Sequence, residues 1–186
     1  IYTVLLIALI PAYFFRLTWR GIGNRKYLNR WSERLGVANI RPTADKSIVW
    51  VHAVSVGEVN ASIPLLRKLL DEYTDSEFLV TTSTPTGSDI LLSKLGNKVK
   101  HQYVPLDIPF CINLFLNTWK PKALILLETE IWPNIIHCCK KKDIVTALVN
   151  ARLSEKSKSK YLRFSAIIRP AINSLDLILA QYESDA

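Results

Sequence analysis

Two hydrophobic periods alternate along the chain. Six short runs rich in apolar and β-branched residues read as strands: "SIVWVHAV" (47–54), "EFLVTTS" (77–83), "VKHQYV" (99–104), "KALILL" (122–127), "IVTALV" (144–149) and "LDLILA" (175–180). Helical patterns lie between them, such as "ASIPLLRKLL", whose apolar Ile63, Leu66 and Leu70 fall on one face. Pro64 is expected near the first turn of that helix, where backbone N–H groups have no intrahelical partner, which places the helix start close to Glu58. Strands alternating with helices imply a parallel sheet with right-handed crossovers, an α/β, Rossmann-like doubly wound domain. Ligands of such sheets bind beyond the carboxyl ends of the strands. The residues that follow the strands are therefore the ones to examine.

Ahead of the first strand the pattern is different. The first fifteen residues, "IYTVLLIALIPAYFF", carry no charge, and Arg16, Arg20, Arg25 and Lys26 follow. A full membrane span needs about 20 apolar residues, so the run is short for one unless more precedes it. Secretory signals carry their positive charge before the apolar core, whereas here it comes after. That asymmetry predicts a membrane-associated helix with its carboxyl side on the cytoplasmic face; a buried core helix is the alternative. The expected division is residues 1–34 as anchor helix and basic connector, and 35–186 as the Rossmann-like domain.

With 186 residues, 49% of them hydrophobic, the chain can bury one substantial core and is not a disordered segment. It opens on Ile1, contains no Met and stops at "QYESDA" just after an apolar run, so a fragment of a longer protein is expected. Cys111, Cys138 and Cys139 form neither a C-x-x-C pair nor an even set, which points to a reducing compartment rather than a disulfide framework. His52, His101 and His137 lack metal-ligand spacing and read as structural or merely polar. The net charge of +8 is concentrated: six basic residues against one acid from Arg16 to Arg34, and nine against two from Lys140 to Arg169. Such patches suit an anionic partner, whether nucleic acid, anionic lipid or a phosphorylated substrate; a solvated face is the plain alternative.

The loops after the strands hold the candidate chemistry: "SVGE", "TPTG", "PLDIP", "ETEIWP" and "NARLS". Gly57 has no Cβ, so a substrate can approach its backbone, and the helix start can receive anionic or hydroxyl oxygens. Glu58 is placed to take a proton from a bound hydroxyl, or else only to favour the positive end of a helix dipole. Glu128 and Glu130 are two apart and would share a side of an extended backbone. Paired carboxylates of this kind tune each other's proton affinity, bind a metal or hold sugar hydroxyls. Thr84 to Gly87 is a turn with two hydroxyls before a helix. No glycine-rich dinucleotide or P-loop fingerprint follows the first strand, and no D-x-D motif occurs, so a metal-bound nucleotide-sugar site is not indicated.

In order and spacing, "HAVSVGEV", "TTSTPTGS", "VPLDIPF", "ETEIWPN" and "LVNARLSEKS" closely resemble the N-terminal half of the bacterial Kdo transferases, and the resemblance covers essentially the whole chain. These enzymes attach 3-deoxy-D-manno-octulosonic acid to the lipid A precursor. The resemblance implies the first half of a GT-B glycosyltransferase: a membrane-associated acceptor-binding domain, with a CMP-Kdo-binding domain to follow. It implies an inverting transfer from CMP-Kdo to lipid IVA at an anionic inner-membrane surface, on the cytoplasmic side, with no cofactor and no nucleic acid. By the same resemblance Glu58 stands where the family has its general base, and Glu128 where it has a residue stabilising the transition state. Ser55, Gly57, Thr84, Thr86, Gly87, Glu130, Asn150 and Arg152 are the expected acceptor-binding residues.

Three other readings are distinguishable in principle. A basic nucleic-acid module would bind DNA in a salt-sensitive, lipid-independent way, but no nucleic-acid motif is recognisable. A non-catalytic membrane-tethered module would be indifferent to substitution of Glu58 and Glu128. Another membrane-associated GT-B glycosyltransferase of lipid A synthesis is disfavoured by "SVGE" combined with "ETEIWP".

Overall fold

A computed structural model describes residues 2–152 and 164–181. Helix α1 (Tyr2–Gly23) leads through a 3-10 turn (Arg25–Leu28) and a short α2 (Trp31–Arg34) into the first strand. Six strands follow: β1 (Ser47–His52), β2 (Ser76–Thr82), β3 (Lys100–Tyr103), β4 (Ala123–Leu127), β5 (Val145–Ala151) and β6 (Leu177–Ala180). The helices between them are α3 (Val56–Glu72), α4 (Pro85–Leu95), α5 (Pro109–Trp119), α6 (Pro133–Lys140) and α7 (Ser165–Asn173). The sheet order is β3-β2-β1-β4-β5-β6, and every neighbouring pair is parallel. This is the doubly wound order, with its switch point between β1 and β4. The α/β expectation holds, and each of the six apolar runs coincides with a strand to within about two residues at either end.

Both faces of the sheet are covered from β1 to β4, which is why those strands are apolar almost throughout, whereas β6 at the edge leaves Leu177, Ile178 and Leu179 exposed. Along β1, Ile48 and Trp50 pack into a cluster with Phe115, Leu124 and Ile135, while Val51 joins Val59, Leu66, Phe78 and Leu91 on the other side. Ile63 and Leu66 of α3 are buried and Leu70 packs against the same cluster, as their spacing requires.

Pro64 corrects one expectation. Helix α3 does start beside Glu58, but it begins at Val56, so Pro64 is its ninth residue and lies in the helix interior. Pro64 therefore does not mark the first turn. What starts the helix is Ser55, whose hydroxyl accepts the Glu58 N–H at 3.3 Å. Ser55-x-x-Glu58 is a capping-box spacing that states the helix start more directly than the proline does.

Helix α1 has 22 residues and is long and apolar enough, by length and composition, to cross a membrane. Leu17 and Gly21 are its buried residues, and Val4, Leu5, Phe15, Trp19 and Ile22 are exposed. Its inner side is pinned by polar contacts. The Tyr2 hydroxyl donates to Asp107 at 2.7 Å, Thr3 pairs with Asn134 at 3.1 Å, and Arg34 donates to the Tyr13 hydroxyl at 2.9 Å. These residues lie after β3, at the start of α6 and at the end of α2, so α1 runs along the carboxyl edge of the sheet.

Candidate active site at the carboxyl edge

The turn from β1 to α3 holds Glu58 in a reciprocal arrangement. One carboxylate oxygen accepts the Val54 N–H at 2.8 Å and the other accepts the Ser55 hydroxyl at 2.8 Å. The residue is 7% exposed. Burial raises the Glu58 pKa and the charge of Glu128 raises it further, while the bonds from Ser55 and Val54 pull it down. Glu58 is thus both a helix cap and a carboxylate whose proton affinity is pushed upward.

The loop after β4 approaches the same place, though not as an extended strand. Glu128 adopts φ of 55°, a left-handed conformation, with its N–H bonded to Val149 O at 3.0 Å. The idea that Glu128 and Glu130 share a side of an extended backbone is therefore wrong: β4 ends at Leu127 and the chain turns immediately. The turn still brings the carboxylates into electrostatic contact. Glu130 has its pKa raised to about 7, chiefly by burial and then by the charges of Glu58 and Glu128. Its carboxylate accepts the Trp132 indole N–H at 2.6 Å. Trp132 in turn stands edge-on to His52, centroids 5.4 Å apart.

The other expected residues fall at neighbouring positions. Thr84 caps α4, its hydroxyl accepting the Gly87 N–H at 3.2 Å. Thr86 is exposed on the first turn of that helix. Asn150, with φ of 58°, sits at the irregularity near the end of β5, and Arg152 is exposed just beyond the strand. The two glycines differ in what they explain. A Cβ on Gly87 would lie 3.2 Å from the Thr84 hydroxyl and 3.5 Å from Thr82, so packing within the chain accounts for it. A Cβ on Gly57 would meet only Ser55 Oγ, at 3.7 Å, on an exposed turn. Packing within the described residues does not require that glycine.

Four residues outside the expected set shape the site. Asp107, 4% exposed, accepts the N–H groups of Asn134 and Ile135 at 3.3 and 2.7 Å besides the Tyr2 hydroxyl, tying α1 to the first turn of α6. Its pKa is raised to about 6 by burial, against the pull of those bonds. Trp132 holds Glu130, and Arg34 and Tyr13 close the site beneath α1. Asp107 had a sequence signal in "PLDIP", a strand-end acid, whereas the burial of Arg34 had none.

A family model described as "3-Deoxy-D-manno-octulosonic-acid transferase (kdotransferase)" matches residues 29–186. The chain belongs to the Kdo transferase family. A 3-deoxy-D-manno-octulosonic acid transferase of Haemophilus influenzae is 37% identical over 180 residues, 97% of this chain and 42% of that protein. A probable mitochondrial 3-deoxy-D-manno-octulosonic acid transferase of Arabidopsis thaliana is 35% identical over 176 residues, 94% of this chain and 38% of that protein. The chain therefore spans less than half the length of these Kdo transferases. Among solved structures, a UDP-N-acetylglucosamine 2-epimerase shares the fold, with a TM-score of 0.55 at 13% identity over 77% of this chain and 42% of that one.

Proposed function

We propose that this chain is the acceptor-binding half of an inverting GT-B glycosyltransferase that moves Kdo from CMP-Kdo to lipid IVA. Residues 35–186 form the acceptor domain, 1–34 the anchor helix and connector, and the donor is bound by a second domain. The observation that carries the reading is the convergence of Glu58, Glu128 and Glu130 at the switch point of the sheet, where ligands of doubly wound folds bind.

Glu58 is the general base. Burial and its acidic neighbours raise its proton affinity, and the Ser55 and Val54 bonds hold it in place. An inverting displacement needs one base to deprotonate the attacking sugar hydroxyl while CMP departs from the opposite face. Glu128 stabilises the transition state, and Glu130 joins Ser55, Gly57, Thr84, Thr86, Gly87, Asn150 and Arg152 in holding the acceptor. The chain needs no cofactor for this.

Helix α1 lies in the interface of an anionic inner membrane, with the site on the cytoplasmic side. Support comes from its exposed apolar face and from the contacts of Tyr2 and Tyr13, which hold about 16 Å of helix along the domain.

The test is Glu58→Gln in the complete enzyme. Glutamine keeps the cap, since its oxygen can accept the Val54 N–H and its amide can donate to Ser55, but it cannot take the proton. A positioned base contributes about 10² to 10⁴ in rate, so turnover should fall by that factor while acceptor affinity and melting temperature hold. Near-normal turnover in the folded variant would leave Glu58 as a helix cap and remove the catalytic assignment.

A further inference from the structure

Two adjoining cavities, of about 340 and 420 Å³, lie beneath α1 and share Leu6, Tyr13, Arg16, Leu106 and Asp107 in their walls. The first is lined mainly by apolar side chains, among them Leu9, Ile10 and Ile108. The second reaches Val54, Ser83 and Thr84 at the ends of β1 and β2, and carries Arg16 and Arg20. Neither arginine has a carboxylate within ion-pair distance among the described residues.

A third guanidinium stands behind the wall. Arg34 is 1% exposed and donates to the Tyr13 hydroxyl at 2.9 Å and to Ser83 O at 3.1 Å, both of which belong to residues lining the second cavity. Its Nε has no hydrogen-bond partner, and it too has no carboxylate partner among the described residues. A buried cation without a counter-charge is strongly unfavourable, and an anion in the cavity in front of it relieves that cost. Asp107, the acid at these walls, is turned toward Tyr2 and the first N–H groups of α6. The opposite side of α1 is apolar and exposed, so the slot borders the face that would meet a bilayer.

We propose that this slot seats one acyl chain and the adjoining phosphate of the lipid acceptor itself. The chain lies against Leu9, Ile10 and Ile108, and the phosphate lies at Arg16 and Arg20 with the charge of Arg34 behind it. The sugar carrying that phosphate is then directed to Val54, whose N–H holds the Glu58 carboxylate. The inference rests on the acceptor reading above and adds to it a place for the chain and the phosphate.

A tetra-acylated, bis-phosphorylated glucosamine disaccharide bearing a diazirine on an acyl chain, presented in phosphatidylcholine nanodiscs, tests this on the unmodified chain. Labelling should map to Ile10 or Ile108, and excess unlabelled acceptor should suppress it whereas phosphatidylglycerol and inorganic phosphate should not. Arg16→Gln with Arg20→Gln should weaken acceptor binding roughly tenfold and erase the preference over a dephosphorylated analogue. Ala12→Phe, which intrudes on the first cavity, should weaken binding comparably without changing sedimentation with vesicles. Labelling confined to the exposed Leu5, Leu9, Phe15 and Trp19, or equal suppression by phosphatidylglycerol, overturns the proposal, and the labelling map depends on no variant folding. If the slot is labelled but Glu58→Gln turns over normally, the catalytic reading fails and the slot stands; the opposite pattern removes the slot alone.

Discussion

The carboxyl edge of the sheet is divided by charge. Around the ends of β1 and β4, Glu58, Glu128 and Glu130 gather with no cation bonded to them among the described residues. Around the ends of β2 and β3, Arg16 and Arg20 of α1 line the cavity beneath that helix and Arg30 and Arg34 act on His101, and of these four only Arg30 has an acid partner among the described residues, Glu33 at 2.7 Å. Burial acts on both halves in opposite senses, raising Glu58 and Glu130 and lowering His101 to about 3, where Arg30 and Arg34 push it further down. Among the described residues Asp89, near the start of α4, is a further acid whose charge reaches His101, and its ion pair with Lys26 at 2.7 Å is exposed to solvent. Keeping the two signs apart preserves two capacities that ion pairing would cancel: one half takes up protons and the other attracts anions.

The largest expected effect that tests the contrast is at Glu33. This acid, 2% exposed, accepts from Arg30, Asn39 and the Tyr103 N–H at 2.7, 2.9 and 2.8 Å. Glu33→Ala should cost about 3 kcal/mol in denaturant unfolding, because a buried N–H and a half-buried guanidinium lose their acceptor together. A loss under about 1 kcal/mol would mean that the basic half tolerates its charges without any acid, and the contrast would lose its physical basis.

The pH dependence of stability should run oppositely in the two halves. With Glu130 at about 7 in the native chain against an ordinary 4.5, the folded state retains a proton that the unfolded state has released, so its contribution declines as pH rises between those values. Glu130→Gln should therefore gain on the wild type, on the order of 1–2 kcal/mol, between pH 5 and pH 8. His101 behaves in reverse. At about 3 rather than 6.5, it stays neutral while the unfolded chain takes up a proton, so stability is lost as pH falls below about 6.5. His101→Gln should soften that acid loss, and urea midpoints across pH 4 to 8 compare the two variants directly. Parallel rather than opposed profiles would show that the halves are not electrostatically distinct.

The smallest effect is expected at Gly57. Gly57→Ala should leave unfolding within about 1 kcal/mol of the parent, since the added methyl meets only Ser55 Oγ and alanine favours the helix. Acceptor affinity, measured by titration, should nonetheless fall severalfold. Unchanged affinity would place the acceptor away from this turn.

The sequence disclosed the fold because its information is local and periodic. Apolar runs of strand length and helix-spaced apolar residues are visible without knowing what they touch, and β1 to β6 overlap them. Candidates after the strands could be named for the same reason, since the fold class alone says which loops share an edge. What failed depended on backbone detail. Pro64 suggests a first turn, whereas Ser55 and Glu58 set the helix start between themselves, and the left-handed turn at Glu128 is invisible in a residue type that rarely adopts it. What was missed depended on distant partners. Arg34 looked like one charge in a basic connector, and only the approach of Tyr13, Ser83 and Tyr103 makes it a buried cation. Asp107 likewise gains its meaning from Tyr2 and α6, 105 and 27 residues away.

The turn at Glu128 carries a further consequence for variation at this edge. Two adjacent strands carry left-handed residues near their carboxyl ends, Glu128 just after β4 and Asn150 next to the last residue of β5. Asparagine is comfortable there; glutamate is not, and a side chain of its kind in that conformation costs about 1–2 kcal/mol relative to the ordinary helical region. Drift guided by folding alone would replace Glu128 with glycine or asparagine and relieve the backbone. Libraries screened for thermal tolerance should therefore accumulate replacements at 128 while sparing 150, and those selected for sugar transfer should hold the acid, so that one position records which of the two demands was imposed.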